Sequence, residues 1–171
     1  MSVVALPRLS IRELDAASLE QATELLHKIW HQTYRDRLPA GLRAQRTPAY
    51  FAAYLEARSA QCWTAWMGKR MAGLVTVSSN CIEDVWVARR YRRRGIAQRL
   101  VATALEHLAE RGFDFAQAGC ESFNSEAVAF FRATAWQVIG SEALDLVPGR
   151  PIDALVFSRR LHRRQHEPIP A

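Results

Sequence analysis

The stretch Val85-Trp86-Val87-Ala88-Arg89-Arg90-Tyr91-Arg92-Arg93-Arg94-Gly95-Ile96-Ala97-Gln98-Arg99-Leu100 constrains this chain more than any other. An apolar strand runs into a basic turn and then into a helix that carries Ile96, Leu100, Val101, Leu105 and Leu108 at helical spacing. Such a helix must bury its apolar stripe against a sheet. The next apolar run, Phe113 to Cys120, then lies parallel to the first strand across the crossover. The fold class that follows is α/β. Gly95 and Ala97 allow a ligand to approach the backbone, and the free N–H groups at the helix start carry the positive end of its dipole. Five arginines within six positions, Arg89, Arg90, Arg92, Arg93 and Arg94, surround the turn, which therefore has the chemistry of a phosphate cradle.

Ser10 to Leu14 reads as a short strand. Asp15 or Ser18 can cap a helix that buries Leu19, Ala22, Leu25, Leu26, Ile29 and Trp30 and ends before Pro39-Ala40-Gly41. Thr47-Pro48 has the form of a second helix start, continuing through Tyr50, Phe51, Tyr54 and Leu55. Cys62 to Met67 and Met71 to Ser78 form a hairpin across Gly68-Lys69, and Cys81 to Val87 leads into the basic turn. After Phe113 to Cys120 come a helix, Asn124 to Thr134, and two last strands, Trp136 to Ser141 and Ile152 to Arg159. The order β-α-α-β-β-β-α-β-α-β-β predicts one domain over 1–160, a mixed twisted sheet of about seven strands with helices on both faces. A basic, flexible tail over 161–171 should follow it.

With 171 residues the chain can bury roughly two thirds of its unfolded surface, so no disulfide or metal is needed as a staple. Cys62, Cys81 and Cys120 are odd in number and form no Cys-x-x-Cys pair, which argues against a disulfide framework or a metal site and for a reducing, cytoplasmic setting. No stretch reaches the roughly 20 apolar residues of a membrane span, and Pro7 interrupts any signal-peptide core. The net charge of +6 is local: the five arginines of the turn account for all but one of it, and Arg159, Arg160, Arg163 and Arg164 turn the remainder negative. A broad basic face with interleaved aromatics, which a nucleic-acid binder needs, is absent.

A glycine-bearing strand-to-helix turn serves many phosphate ligands, but two kinds are excluded by spacing. There is no Gly-x-x-x-x-Gly-Lys-Ser/Thr and no Gly-x-Gly-x-x-Gly. Arg92-Arg93-Arg94-Gly95-Ile96-Ala97 instead resembles the Arg/Gln-x-x-Gly-x-Gly/Ala signature of the GNAT N-acetyltransferase superfamily. Asn124-Ser125-Glu126-Ala127-Val128-Ala129-Phe130-Phe131-Arg132-Ala133-Thr134-Ala135-Trp136 resembles the same family's Asn-x-x-Ala-x-x-aromatic/aliphatic-Tyr-x-x-x-Gly-Phe segment. The likeness is close from Val85 to Trp136 and follows element order elsewhere.

The resemblance implies acetyl-CoA, or another short acyl-CoA, as donor and a primary amine as acceptor, with no metal. It places the pyrophosphate on the backbone of Arg92, Arg93, Arg94, Gly95, Ile96 and Ala97, and the pantetheine between Cys81–Val87 and the strand that follows, touching Val85, Trp86 and Val87. A backbone N–H near Val87 would stabilise the oxyanion. Glu83, which shares strand parity with Val85 and Val87, is the first candidate for the base, and Glu121 the second. Asp84 has the opposite parity. Asn124 would bind the pantetheine or simply cap its helix. Phe131 falls where relatives carry the tyrosine that protonates the leaving thiolate, and no tyrosine lies beyond Tyr91. Water, Ser125, Cys120 or the released ammonium proton are the substitutes. Arg89 and Ala135 replace the family's proline and glycine.

The acceptor should sit beside the first two helices, where His31 and Tyr34 are the candidates to line its site. An N-acetyltransferase is the leading function. A non-catalytic acyl-CoA-binding or sensor domain is the alternative that Phe131 raises. A homodimer would pair through an exposed edge strand, expected at Ile152 to Arg159.

Overall fold

The computed structural model describes residues 8–162. Seven strands form one mixed sheet: β1 (Leu9–Glu13), β2 (Cys62–Met67), β3 (Arg70–Ser78), β4 (Cys81–Val87), β5 (Phe115–Glu121), β6 (Gln137–Leu144) and β7 (Ile152–Arg160). Their spatial order is β1-β2-β3-β4-β5-β7-β6, antiparallel throughout except for β4 with β5. The helices are α1 (Leu19–Tyr34), α2 (Ala40–Ala44), α3 (Pro48–Glu56), α4 (Ile96–Glu110) and α5 (Ser125–Ala133). The expected order holds, with α2 added: a five-residue helix after Pro39 that is too short to show a period.

Strand alternation sorts the core into two layers. Trp63, Ala65, Val75, Val77, Ala116, Ala118 and Phe157 face α4 and α5. Cys62, Trp66, Leu74 and Trp86 face α1 and α3. Thr47 caps α3 as its Ser/Thr-Pro form predicts, accepting from the Tyr50 N–H at 3.2 Å. Gly73 has no room for a side chain. A Cβ there would lie 2.5 Å from the Trp86 carbonyl and 3.2 Å from Leu100, so this glycine sets how closely α4 and β4 approach β3.

Two features place the site. The first is a bulge: Thr76 opposes Asp84 and Val77 opposes Ile82, so Glu83 is one residue too many in β4. The second is a parting of strands. Parallel pairing of β4 with β5 covers Cys81 with Gln117 and Ile82 with Ala118 and then stops, while β5 pairs with β7 along its whole length.

The expected free edge at Ile152 to Arg159 is corrected. The β6–β7 hairpin folds back so that β7 lies between β5 and β6, and β6 is the outer strand with Val138 and Ile139 exposed. Burying Phe157 and Ala154 against β5 decides this, since both are fully enclosed there. After β7, Leu161 is buried and its N–H donates to the Asp114 carbonyl at 2.9 Å. The remainder of the expected tail, 163–171, lies outside the described residues.

Candidate active site

The turn after β4 is built to present N–H groups. A short 3-10 turn over Arg89–Tyr91 leads to Arg93 at φ 61° and Gly95 at φ 73°, two left-handed positions that curl the backbone before α4. Arg99 is the first residue of that helix whose N–H bonds the preceding turn, at 3.1 Å to the Gly95 carbonyl. Among the described residues, no protein group accepts from the N–H of any residue from Arg93 to Gln98. A run of open donors at a helix start fits an anion such as a pyrophosphate. Ile96 meanwhile buries its side chain in the core, and Ala97 is half-buried.

The arginines divide by task. Arg92 ties the turn to its surroundings, donating to the Val87 carbonyl at 3.2 Å and pairing with Glu126 at 2.7 Å. Arg90 and Arg94 flank the Tyr91 ring at 4.8 and 5.9 Å. Arg93 is exposed within the run of open donors, whereas Arg89, also exposed, lines a cleft with Lys28 of α1 and Arg70 of β3.

Along β4 the antiparallel ladder fixes which backbone groups face the gap. Ala88 donates to Ala72 at 2.8 Å, and by alternation Val85 and Val87 direct their N–H and C=O groups away from β3, toward the opening before β5. Their side chains pack toward α4, whereas Trp86 faces α1 and α3 and donates its indole N–H to Asp84 at 2.8 Å. Asn124 caps α5, accepting from the Ala127 N–H at 3.3 Å. Phe131 is enclosed in the core, stacked on Phe157 at 5.0 Å and edge-on to Trp136 at 5.3 Å. Ala135 adopts φ 62°, which accounts for glycine being the residue that the family segment carries there.

Below the opening lies a cavity of about 250 Å³. Its walls come from α1, α2, α3 and the end of β6, and two carboxylates, Asp84 and Glu121, reach it from the two parted strands. Each accepts a tyrosine hydroxyl: Tyr54 donates to Asp84, and Tyr34 donates to Glu121. Thr76 also donates to Asp84, at 3.0 Å. Burial, then the neighbouring negative charge, pushes both phenols well above their ordinary range, so each remains a protonated donor.

The parity argument for Glu83 is corrected by the bulge. The extra residue turns Glu83 toward α3, where it pairs with Arg58 at 2.7 Å and comes 3.5 Å from the Tyr54 hydroxyl; it is not part of the cavity lining. Asp84 and Glu121 line the cavity instead. His31 stands behind the wall, with Nε2 2.9 Å from the Arg46 carbonyl, and does not line the cavity; Tyr34 does. Tyr54, Arg46 and α2 were not anticipated. The aromatic stripe of Tyr50, Phe51 and Tyr54 was the available signal for Tyr54, while nothing local announces Arg46 or α2.

Burial pushes the thiols of Cys62 and Cys120 up to about 12, with Asp84 and Glu121 respectively adding to the effect. Cys120 is thus packed and protonated rather than poised to attack. Because both titrate above the ordinary thiol value of 9.0, the stability they contribute is full below that pH and is lost as pH rises toward about 12. Iodoacetamide at pH 8 should label these two thiols at least about 10²-fold more slowly in the native protein than in urea, measured by peptide mass spectrometry. Native labelling at the unfolded rate would contradict their burial.

Among the described residues, no helix is long and apolar enough to cross a membrane, and no group of His, Cys, Asp or Glu is arranged to hold a metal ion. A model of the acetyltransferase (GNAT) family matches residues 23–135. No curated protein matches the chain. Among solved structures, the GCN5-related N-acetyltransferase of Rhodopseudomonas palustris superposes with a TM-score of 0.73 at 14% identity, covering 94% of this chain and 100% of that one. The Salmonella typhimurium protein yncA, solved with its cofactor acetyl-CoA, gives 0.70 at 16% identity, covering 92% and 96%. Ard1 of Thermoplasma volcanium gives 0.68 at 16% identity, covering 90% and 98%. At these identities the likeness establishes the fold.

Proposed function

Because the chain belongs to the GNAT acetyltransferase family, we propose that it transfers an acetyl group from acetyl-CoA to a primary amine by direct attack in a ternary complex. The observation that carries this is the opening between β4 and β5, with open backbone donors at one end and a two-carboxylate cavity beneath. The reaction needs a held thioester and a deprotonated amine within reach of each other, and that arrangement provides for both. A short acyl-CoA other than acetyl-CoA would meet the same backbone groups.

The N–H groups from Arg93 to Gln98 receive the pyrophosphate, and the exposed Arg93 adds charge beside it. Backbone groups of Val85 and Val87 line the pantetheine's path. The Val87 N–H is aimed at the gap, where a preorganised donor to the thioester oxygen is worth roughly 3 to 4 kcal/mol. An amine of pKa about 10.4 arrives as ammonium at neutral pH, so a base must act. Three donors, from Tyr54, Thr76 and Trp86, already occupy Asp84. Among the described residues Glu121 accepts from Tyr34 alone, with its other oxygen open, so Glu121 takes the proton. The same carboxyl can return it to the departing thiolate, which removes the need for a tyrosine at Phe131. Asn124 serves mainly to start α5.

Three unpaired cysteines and a thiol product suit the reducing cytoplasm, where we place the enzyme. Thiol release from acetyl-CoA, followed with a panel of monoamines, diamines, amino acids and peptides, tests the proposal. Steady turnover with any of them is the expected result. Tight acetyl-CoA binding without turnover across the panel would instead favour the non-catalytic acyl-CoA-binding reading.

A further inference from the structure

The cavity lining contains three charged side chains: Asp84, Glu121 and Arg46. Neither of the two ion pairs among the described residues, Arg58 with Glu83 and Arg92 with Glu126, involves any of them. Arg46 lies 4.3 Å over the Tyr50 ring, and its backbone is fixed by His31, so its charge stays at the cavity and has no acidic partner among the described residues. The formal charge of the hollow is therefore −1. Asp84, Glu121 and Arg46 are each partly buried in a largely apolar lining, where an unbalanced charge costs more than it does in open water. The occupant that balances the site is a single cation.

The rest of the lining is apolar or aromatic, including Leu26, Trp30, Leu38, Phe51, Leu144 and Leu146. Trp30 and Tyr34 lie with ring centroids 4.7 Å apart, which offers aromatic surface beside Glu121, the sort that attracts an ammonium. The volume of about 250 Å³ falls below the roughly 300–1,000 Å³ typical of pockets for drug-sized ligands. A second ammonium would meet leucine or the like charge of Arg46. A carboxylate on the acceptor would leave the hollow negative.

We propose that the acceptor is a compact monoamine whose one primary ammonium, held by the open oxygen of Glu121 with the charge of Asp84 in the same lining, is carried on an apolar body about the size of an aromatic ring. This rests on the acetyl-transfer reading above and narrows its acceptor. Diamines and polyamines are disfavoured by Arg46, and zwitterionic amino acids by the two carboxylates.

The test is kcat/KM from thiol release at saturating acetyl-CoA, with 2-phenylethylamine, phenylalanine, 1,4-diaminobutane and an apolar dipeptide. The expected result is a value for 2-phenylethylamine at least about tenfold above each of the other three. Arg46→Glu should then move the ratio of diaminobutane to phenylethylamine at least about tenfold toward the diamine, with KM for acetyl-CoA unchanged. Arg46→Gln should move it the same way by less. Equal or higher values for phenylalanine, the diamine or the dipeptide, or an unmoved ratio in both folded variants, would overturn the monoamine assignment while the acetyl-transfer reading stood. Acetyl-CoA binding with no turnover on any acceptor would overturn both.

Discussion

Glu121→Gln should lower kcat by about 10²-fold to 10⁴-fold, the range that a positioned general base contributes. The variant keeps the shape of the side chain and an oxygen to accept from Tyr34, but it cannot take a proton. KM for acetyl-CoA should stay near its starting value, since the donor cradle lies on the turn before α4. Glu83→Gln is the contrasting control. Its carboxylate is half-exposed and paired with Arg58, an arrangement worth about 0–1 kcal/mol, and turnover should fall by less than about threefold. Full activity in Glu121→Gln alongside a large loss in Glu83→Gln would return the base to the bulge and displace Glu121 from the mechanism.

Phe157→Ala should cost about 3–5 kcal/mol of stability, the range for removing a buried aromatic ring. Phe157 is fully buried and stacked on Phe131, which also meets Trp136, so removing the ring opens a void between α5 and the sheet. For a domain of this size the melting temperature should drop by roughly 6–20 °C, read by circular dichroism on thermal unfolding. A loss under about 1 kcal/mol would mean that β7 is not inserted beside β5. The same substitution should weaken the seat of α5, because Phe131 would lose the surface it stacks on.

Much of this molecule was legible before its structure. The bounds of β2 and β4 follow from Gly68-Lys69 and from the entry into the arginine turn. The cap at Thr47 and the cap at Asn124 are local chemistry, a side-chain oxygen two or three residues before a free N–H, and need no distant partner. The geometry of the turn before α4 was readable for the same reason: Gly95 at a left-handed φ and the open N–H groups after it belong to a few consecutive residues.

The acceptor side was not. Parity along β4 assigned Glu83 to the face of Val85, and a one-residue bulge opposite Thr76 and Val77 reversed that, since a slip of one residue sends a side chain to the other face. Tyr34 and Tyr54 reach the carboxylates from α1 and α3, contacts that no spacing along the strands announces. The outer strand was misplaced because a hairpin can dock either way round, and only burial of its inner strand chooses.

What the chain determined alone is the basic strand-to-helix turn, its family and the α/β order, all of which are written in short-range spacing. The pairing of Asp84 with Tyr54, of Glu121 with Tyr34, and the charge of the hollow between them were decided only by tertiary structure. Their partners are separated by 30 and 87 positions, and nothing but packing of α1 and α3 on the sheet brings them within hydrogen-bonding reach.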